Sequence, residues 1–408
     1  MNTVFLSIVV LVTLLTALAA LVVLLNTILV TRTSVALTIN GDKKLNIISG
    51  ERLLSYLLEN DIAVPSSCAG AGTCGLCKVT IANEAEAGAV SPIERARLSQ
   101  AEIDRGVRLS CQVSVHKNMS LTLPDDVLNA ERSLYRVVST KFIAPLIKEI
   151  VLEESGGNTL SFTPGDFVEV TAPTYRFLLN ELHIDKQYQK YWANLNIGAL
   201  EAHSESATSR AYSIASRPCD KGQIVLLIRL ALPPPADESL LPPGKVSSWL
   251  FSRHVGDELE LSGPFGSFHI QPGQSDKVMI GGGVGMAPLR AITHAFLASH
   301  TSPNCHFFYG ARSHEDVFYE TELDQLAAQH DNFYWTIALS NPKPETTWSG
   351  HTGYIHDVLD EKFLSTYPNP ENCDYYLCGP PLMMQATKAL LIEAGVEETH
   401  IFADDFGV

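Results

Sequence analysis

Hydrophobic residues run without a charge from Val4 to Val30, and beyond them the pattern breaks into short alternating stretches separated by glycine, proline and charged turns. The uncharged run predicts one helix; at about 1.5 Å per residue it reaches about 40 Å, longer than a bilayer core of about 30 Å. Residues 1–33 therefore read as a retained, tilted transmembrane anchor, single-pass in the lipid bilayer. A cleaved leader competes, because "ALAA" at Ala17 to Ala20 offers small residues. Against it, no Lys or Arg precedes the run, and the run continues well past that point. Arg32, Lys43 and Lys44 follow the helix, which places the rest of the chain in the cytoplasm, where thiols stay reduced.

Three sections follow. From 34 to 130, the strand-like "SVALTIN" and "KLNIISG" flank the turn "GDKK", and "ERLLSYLLEND" carries an apolar helical stripe, so an α+β unit is expected. From 131 to 271, runs such as "LSFTPGDFVEVTAP" and "QIVLLIRLAL" alternate between Gly and Pro turns, the pattern of an antiparallel β-barrel. From 272 to 408, "VMIGG", "CHFFYGARS", "FYWTIALS" and "DYYLCGPPLMM" alternate with helical stretches, which argues for an α/β domain with a parallel sheet. The chain is thus multidomain, as 408 residues suggest. Tyr175 to Ser209 is a polar and aromatic insertion in the barrel section; it suits a packed surface excursion or a docking surface, and we favour docking. A net charge of −16 with no Lys/Arg stripe argues against a nucleic-acid partner.

The chemistry enters with the cysteines. Cys68, Cys74 and Cys77 share a glycine-rich loop with spacing C-x5-C-x2-C, and Cys111 follows after 33 intervening residues. Zinc sites prefer two tight ligand pairs, whereas a loop that wraps a compact anionic body and one distant thiolate suit a 2Fe-2S cluster. Gly70, Gly72 and Gly75 would turn backbone N–H groups toward its sulfurs. The five-residue first gap resembles the adrenodoxin-like branch of the ferredoxins, which implies a β-grasp fold. Cys219, Cys305 and Cys373 read as structural thiols.

"RAYSIASRP", Arg210 to Pro218, and "PPGKVSSWL" resemble the ferredoxin-reductase family. The resemblance implies FAD on the barrel: Arg210 on the diphosphate, Tyr212 packed on the isoalloxazine, Ser213 near N5. Gly244, Lys245, Val246, Ser247 and Ser248 would open a helix whose N–H groups and hydroxyls meet the diphosphate. Gly281, Gly282, Gly283, Val284 and Gly285 form a strand-to-helix glycine turn fit for a dinucleotide phosphate, with the helix beginning near Pro288. In the family, Cys378, with Gly379 and Pro380, lies beside the nicotinamide, and a terminal aromatic, here Phe406, covers the flavin. Glu315 and Asp316 stand where a 2′-phosphate would need cations, which points to NADH, although Arg312 is close by. Tyr212, Ser213, Cys378 and Phe406 would then align hydride transfer.

The apolar helix, the cysteine spacing, "RAYS", "GGGVGMAP" and the "DDFGV" end together resemble the F-subunit family of bacterial sodium-translocating NADH:quinone reductases. That resemblance implies an electron-input component in the inner membrane, among other membrane subunits of a sodium-pumping complex, passing electrons from NADH through FAD and a 2Fe-2S cluster toward quinone. The alternative is an NADH reductase component of an oxygenase. One apolar helix without an ionisable residue forms no ion path alone, so quinone and sodium sites are expected on partners.

Overall fold

A computed structural model describes residues 11–18, 20–21, 33–66, 68, 70–81, 83–128, 130–157, 159–233, 242–299, 302–343 and 348–405. These fall into two units, Met1–Val64 with Cys77–Pro124 and Pro65–Leu76 with Asp125–Val408. Residues 11–18 are helical, and Leu11, Val12, Leu14, Leu15 and Leu18 are all exposed. Among the described residues no helix is long and apolar enough to cross a membrane. Most of the expected anchor, 1–33, lies outside the described residues.

The first unit is α+β, as expected. Its strands are β1 (Ser34–Ile39), β2 (Lys43–Ile48), β3 (Lys78–Thr80), β4 (Val107–Leu109) and β5 (Met119–Leu121). β1 pairs antiparallel with β2 and parallel with β5, and β3 pairs antiparallel with β4. The period-two pattern buries Val35, Leu37 and Ile39, and the helix Leu53–Glu59 buries Leu53, Leu54 and Leu57. The segment before Cys111 is pinned by a buried ion pair. Arg108 Nε and Nη2 donate to the two oxygens of Glu94 at 2.8 and 3.0 Å, and its remaining donors reach the carbonyls of Gly88 and Ala89. Glu94 also accepts from the backbone of Ser91 and Leu109. Burial works against the Glu94 charge, but these donors outweigh it and hold the carboxyl below its usual range.

In the second unit a barrel comes first. Its strands are β6 (Glu131–Ala144), β7 (Ile147–Glu154) and β8 (Phe167–Ala172), then, after the insertion, β11 (Thr208–Ser213), β12 (Gln223–Arg229) and β13 (Glu258–Phe265); β9 (Tyr175–Leu178) and β10 (Glu201–Ser204) bound the insertion. The order is β11-β8-β13-β6-β7-β12, all antiparallel, and a bridge between Ile214 and Leu226 closes the ring. The insertion is a packed excursion on its inner face: Leu179, Trp192, Ile197 and Ala202 join the barrel core, and Trp192 Nε1 donates to Pro145 O at 2.7 Å.

The remaining strands are β14 (Lys277–Gly282), β15 (Cys305–Ala311), β16 (Phe333–Leu339), β17 (His351–Thr352), β18 (Asp374–Cys378) and β19 (Ile401–Asp404). They form one parallel sheet in the order β17-β16-β15-β14-β18-β19, crossed by helices that include Met286–Ser299 and Pro381–Glu393. Near-continuous apolar strands suit burial on both faces, and the two faces hold separate cores.

Because the Arg108 guanidinium is buried, removing its partner leaves an uncompensated charge. Glu94→Ala should cost about 3–5 kcal/mol of first-unit stability, read from the denaturant midpoint of its unfolding; a loss within about 0.5 kcal/mol, as at ordinary surface positions, would show that the pair does not hold this segment.

Candidate functional site

β11 runs from Thr208 to Ser213 and alternates its side chains, so Arg210 and Tyr212 share one face and Ser213 turns to the other. Arg210 Nη1 donates to the neighbouring carbonyl of Ser209 at 2.8 Å, and Arg210 forms no ion pair among the described residues. Its charge is therefore available to an anion. Burial pushes the Tyr212 phenol up, so this ring is a neutral wall packed against the barrel core.

Gly244 precedes the helix Lys245–Phe251. A Cβ at Gly244 would meet Ala231 Cβ and Ser247 Oγ at 2.7 Å, so only glycine fits this approach. The Ser247 hydroxyl is already engaged: it donates to Gly244 O and accepts from Ala231 N, at 3.1 and 3.2 Å. Ser248 differs, since its Oγ is buried without a hydrogen-bond partner among the described residues. Val246 is buried, and Lys245 accepts the Tyr175 phenol on its carbonyl. At the other end, Lys148 Nζ donates to the carbonyls of Phe251 and Arg253 at 2.9 and 3.1 Å. Burial lowers that ammonium to about 8, and it caps the negative end of the helix. At the other end Ser248 N–H makes the first intrahelical bond, to Gly244 O, so the N–H groups of residues 245–247 have no acceptor within the helix. An orphaned hydroxyl and open N–H groups fit the diphosphate of FAD.

On the nicotinamide side, Gly281 and Gly282 remain within β14, and Gly283, Val284 and Gly285 make a 3₁₀ turn into the helix that starts at Met286. The helix thus begins two residues before Pro288, which sits in its first turn where a missing N–H costs nothing. Gly283 has φ +56°, and a Cβ on Gly285 would stand 1.9 Å from Cys378 O. Glycine is required there because the turn lies directly on the backbone that ends β18. Cys378 is buried and its thiol is held neutral by burial and by Asp404. Gly379 and Pro380 follow and lead into the helix Pro381–Glu393. This glycine cradle at the carboxyl end of a parallel sheet fits a dinucleotide.

Two parts of the site meet through a residue that sequence reasoning missed. Ser213 Oγ donates to Asp404 Oδ2 at 3.0 Å, and Cys378 Sγ lies 3.9 Å from the same oxygen. Asp404 pairs with Cys378 across β18 and β19. Burial lifts its carboxyl to about 7, against the lowering bond from Ser213. The acidic doublet near the chain end was a visible signal, but its partner in sequence is 191 positions away. Phe406 lies outside the described residues.

Glu315 and Asp316 have local duties. Asp316 accepts from the backbone and hydroxyl of Ser313, and Glu315 pairs with Lys343 at 2.7 Å.

The cysteines form two pairs. In one unit Cys74 Sγ lies 3.4 Å from Cys68 Sγ, and Gly72 N–H donates to Cys68 Sγ at 3.2 Å. Gly70, Gly72 and Gly75 all have positive φ, the left-handed turn that aims N–H groups inward. In the other unit Cys77 and Cys111 share a hydrogen bond that favours the thiolate of Cys111, which sits at about 6 and also receives Gln112 Nε2 at 3.4 Å. Among the described residues no three His, Cys, Asp or Glu side chains close into a metal-binding group. Thiolate character with backbone donors on sulfur is nevertheless the donor chemistry that an iron–sulfur cluster uses.

Comparison with known proteins agrees with this division. Residues 37–116 match the family model of the 2Fe-2S iron-sulfur cluster binding domain, 175–270 that of the oxidoreductase FAD-binding domain, and 279–389 that of the oxidoreductase NAD-binding domain. The chain is 38% identical over 380 residues to the F subunit of the Na(+)-translocating NADH-quinone reductase of Methylococcus capsulatus, covering 93% of each. It is 39% identical to the corresponding protein of Yersinia enterocolitica, covering 90% of each. Among solved structures, the Amycolatopsis cytochrome P450 reductase GcoB superposes with TM-score 0.62 at 23% identity, covering 91% of this chain and 98% of that one. A ferredoxin reductase in carbazole 1,9a-dioxygenase gives 0.58 at 25% identity, covering 92% and 99%.

The raised Asp404 carboxyl has a definite sign. Its folded pKa, about 7, lies above the unfolded value, so its contribution to stability is full below about pH 4 and is lost as pH rises through 7. Asp404→Asn should raise the melting temperature of FAD-free protein at pH 8 by at least about 2–4 °C and by clearly less at pH 5, where the loss has only begun. Equal shifts at both pH values in calorimetry would show that Asp404 is not a buried acid.

Proposed function

Because the chain belongs to the F-subunit family of Na(+)-translocating NADH-quinone reductases, we propose that it is the electron-input component of a membrane complex of that kind. The chain is an oxidoreductase that takes electrons from NADH by way of FAD to a 2Fe-2S centre. FAD, when bound, accepts the hydride pair and gives electrons up singly, and the cluster carries them one at a time. Onward delivery to other membrane subunits, and through them to quinone with sodium transport, is the course the relatives' names support.

The single observation that carries the site is the Ser213–Asp404 bond, because it joins the R-A-Y-S strand to the carboxyl end of the nicotinamide sheet beside Cys378. In this reading Arg210, the N–H groups of residues 245–247 and the Ser248 hydroxyl hold the FAD diphosphate, while the rest of the Gly244–Ser248 turn shapes the approach. Tyr212 walls the isoalloxazine. Ser213, fixed by Asp404, presents its hydroxyl near N5, and the neutral Cys378 thiol packs where the nicotinamide enters. Gly281–Gly285, Gly379 and Pro380 admit the NADH pyrophosphate and nicotinamide. Phe406, near the end of the chain, covers the flavin until coenzyme arrives. Cys68, Cys74, Cys77 and Cys111 are the four ligands of the cluster.

We assign residues 1–33 to a single membrane anchor, 34–130 to a β-grasp ferredoxin domain, 131–271 to the FAD barrel and 272–408 to the NADH domain. The uncharged run and the exposed leucines of residues 11–18 support the anchor, and the basic residues after it favour redox domains on the cytoplasmic side of the inner membrane.

Anaerobic titration of the detergent-purified chain with NADH tests the electron path. Flavin absorption near 450 nm and the broad cluster absorption should bleach together, and Cys111→Ser should keep the flavin change while losing the cluster band. Full cluster absorption in Cys111→Ser would remove that residue from the ligand set. A flavin that NADH leaves oxidised would overturn the reading.

A further inference from the structure

The flavin strand is tied to the nicotinamide sheet a second time, two residues beyond Ser213. Arg290 lies on the helix Met286–Ser299, five residues past the glycine turn, and is 5% exposed. Its Nη1 donates to Ala215 O at 2.7 Å, across from sheet to barrel. Its Nε and Nη2 grip both oxygens of Glu322, at 2.6 and 2.7 Å. The guanidinium also lies 4.4 Å from the centre of the Tyr319 ring, whose hydroxyl donates to Glu149 on β7. Tyr319 holds φ +63°, a left-handed backbone that a bulky residue keeps only when its surroundings enforce it.

Glu322 is saturated. Besides Arg290 it accepts Arg217 Nη1 at 3.1 Å and lies 2.9 Å from His294 Nε2. Burial opposes its charge, yet these donors hold the carboxyl down to about 2. Arg217 stands two residues after Ala215, so the segment that leaves the flavin strand is bound through Ala215 by its carbonyl and through Arg217 by its side chain. A planar fork is needed for this arrangement, since two parallel donors serve the carboxylate while the third reaches the carbonyl; a lysine ammonium offers no such geometry.

We propose that Arg290 and Glu322 are positioning residues for hydride transfer: they fix the flavin strand against the glycine turn and thereby set the distance between flavin N5 and nicotinamide C4. The inference rests on NADH reduction of FAD proposed above. Neither side chain belongs to the set assigned to hold coenzyme, so their loss affects alignment more than affinity. An open surface depression lined in part by Arg217, Tyr319 and Glu322 borders the cluster, so this side of it faces solvent.

The test uses the full chain with Glu322→Gln, which keeps shape and loses the charge, and Arg290→Lys, which keeps charge and loses the fork. In anaerobic stopped-flow work, Glu322→Gln should slow flavin reduction by about tenfold or more and raise the isotope effect with C4-deuterated NADH, while NADH affinity stays within about twofold and flavin content is unchanged. Arg290→Lys should fall between this variant and the parent. In FAD-stripped protein, amide hydrogen exchange should quicken in residues 208–217 and 286–299 of Glu322→Gln together. Parent-like reduction per flavin-loaded molecule, with only a lower melting temperature, would reduce the pair to a structural role and overturn the proposal. Weakened NADH binding at an unchanged reduction rate would overturn it too. Failure of the parent chain to reduce FAD would instead strike the functional reading, and the exchange experiment on stripped protein would still report whether the tie exists.

Discussion

The second unit depends on a backbone contact that admits no side chain. The glycine turn between β14 and its helix lies against the end of β18 so closely that a Cβ on Gly285 would fall on Cys378 O. That approach brings the start of the helix Met286–Ser299, the Cys378 thiol and the end of β19 together at the carboxyl end of the sheet. There Asp404 is within reach of Ser213, and Arg290 within reach of Ala215. The barrel is then held at two points near the end of a single strand, by the Ser213 hydroxyl and the Ala215 carbonyl.

These ties are polar, although the surroundings are apolar. Met286, Leu289 and Ile292 of the helix share a core with Ala215, Val225 and Phe268 of the barrel, which supplies attraction without fixing direction. Direction comes from the carbonyl of Ala215, the carboxylate of Glu322 and the hydroxyl of Ser213, each of which accepts or donates along a narrow range of angles. The first unit follows the same division: Leu37, Leu53 and Leu57 make the core, and the Arg108–Glu94 fork fixes the segment leading to Cys111.

What was legible in the sequence follows from the kind of constraint. Glycines that permit a close approach and cysteines at a fixed spacing act within a few residues, so Gly283, Gly285, Cys68, Cys74 and Cys77 stood out at once. The parallel sheet and the barrel were legible because apolar runs and turn residues are local too. Asp404 and Ser213 are 191 positions apart and Arg290 and Glu322 are 32 apart; neither pair carries a pattern, because only the fold makes them neighbours. Neighbouring serines show the same limit. Ser247 and Ser248 are equivalent in the motif, yet one is consumed by Gly244 and Ala231 and the other is left open. The packing of the insertion was hidden for a similar reason, since Leu179, Trp192 and Ile197 are too widely spaced to announce a shared core with the barrel.

Charge gives the last link. A chain with a net charge of −16 must still receive two anionic dinucleotides, so each cation at the site matters. Arg108, Arg217 and Arg290 are committed to carboxylates and serve as struts. Arg210 is the exception on the flavin strand, since among the described residues it hydrogen-bonds the Ser209 carbonyl and forms no ion pair, although the Glu169 carboxyl on β8 feels its charge. The Arg210 charge, the first turn of the helix Lys245–Phe251 and the glycine turn Gly283–Gly285 are each suited to an anion. Much of that set is backbone, which binds phosphate without adding cations that nearby carboxylates would neutralise. An acidic composition is therefore compatible with two dinucleotides, because phosphate can be met by N–H groups that leave the net charge unchanged.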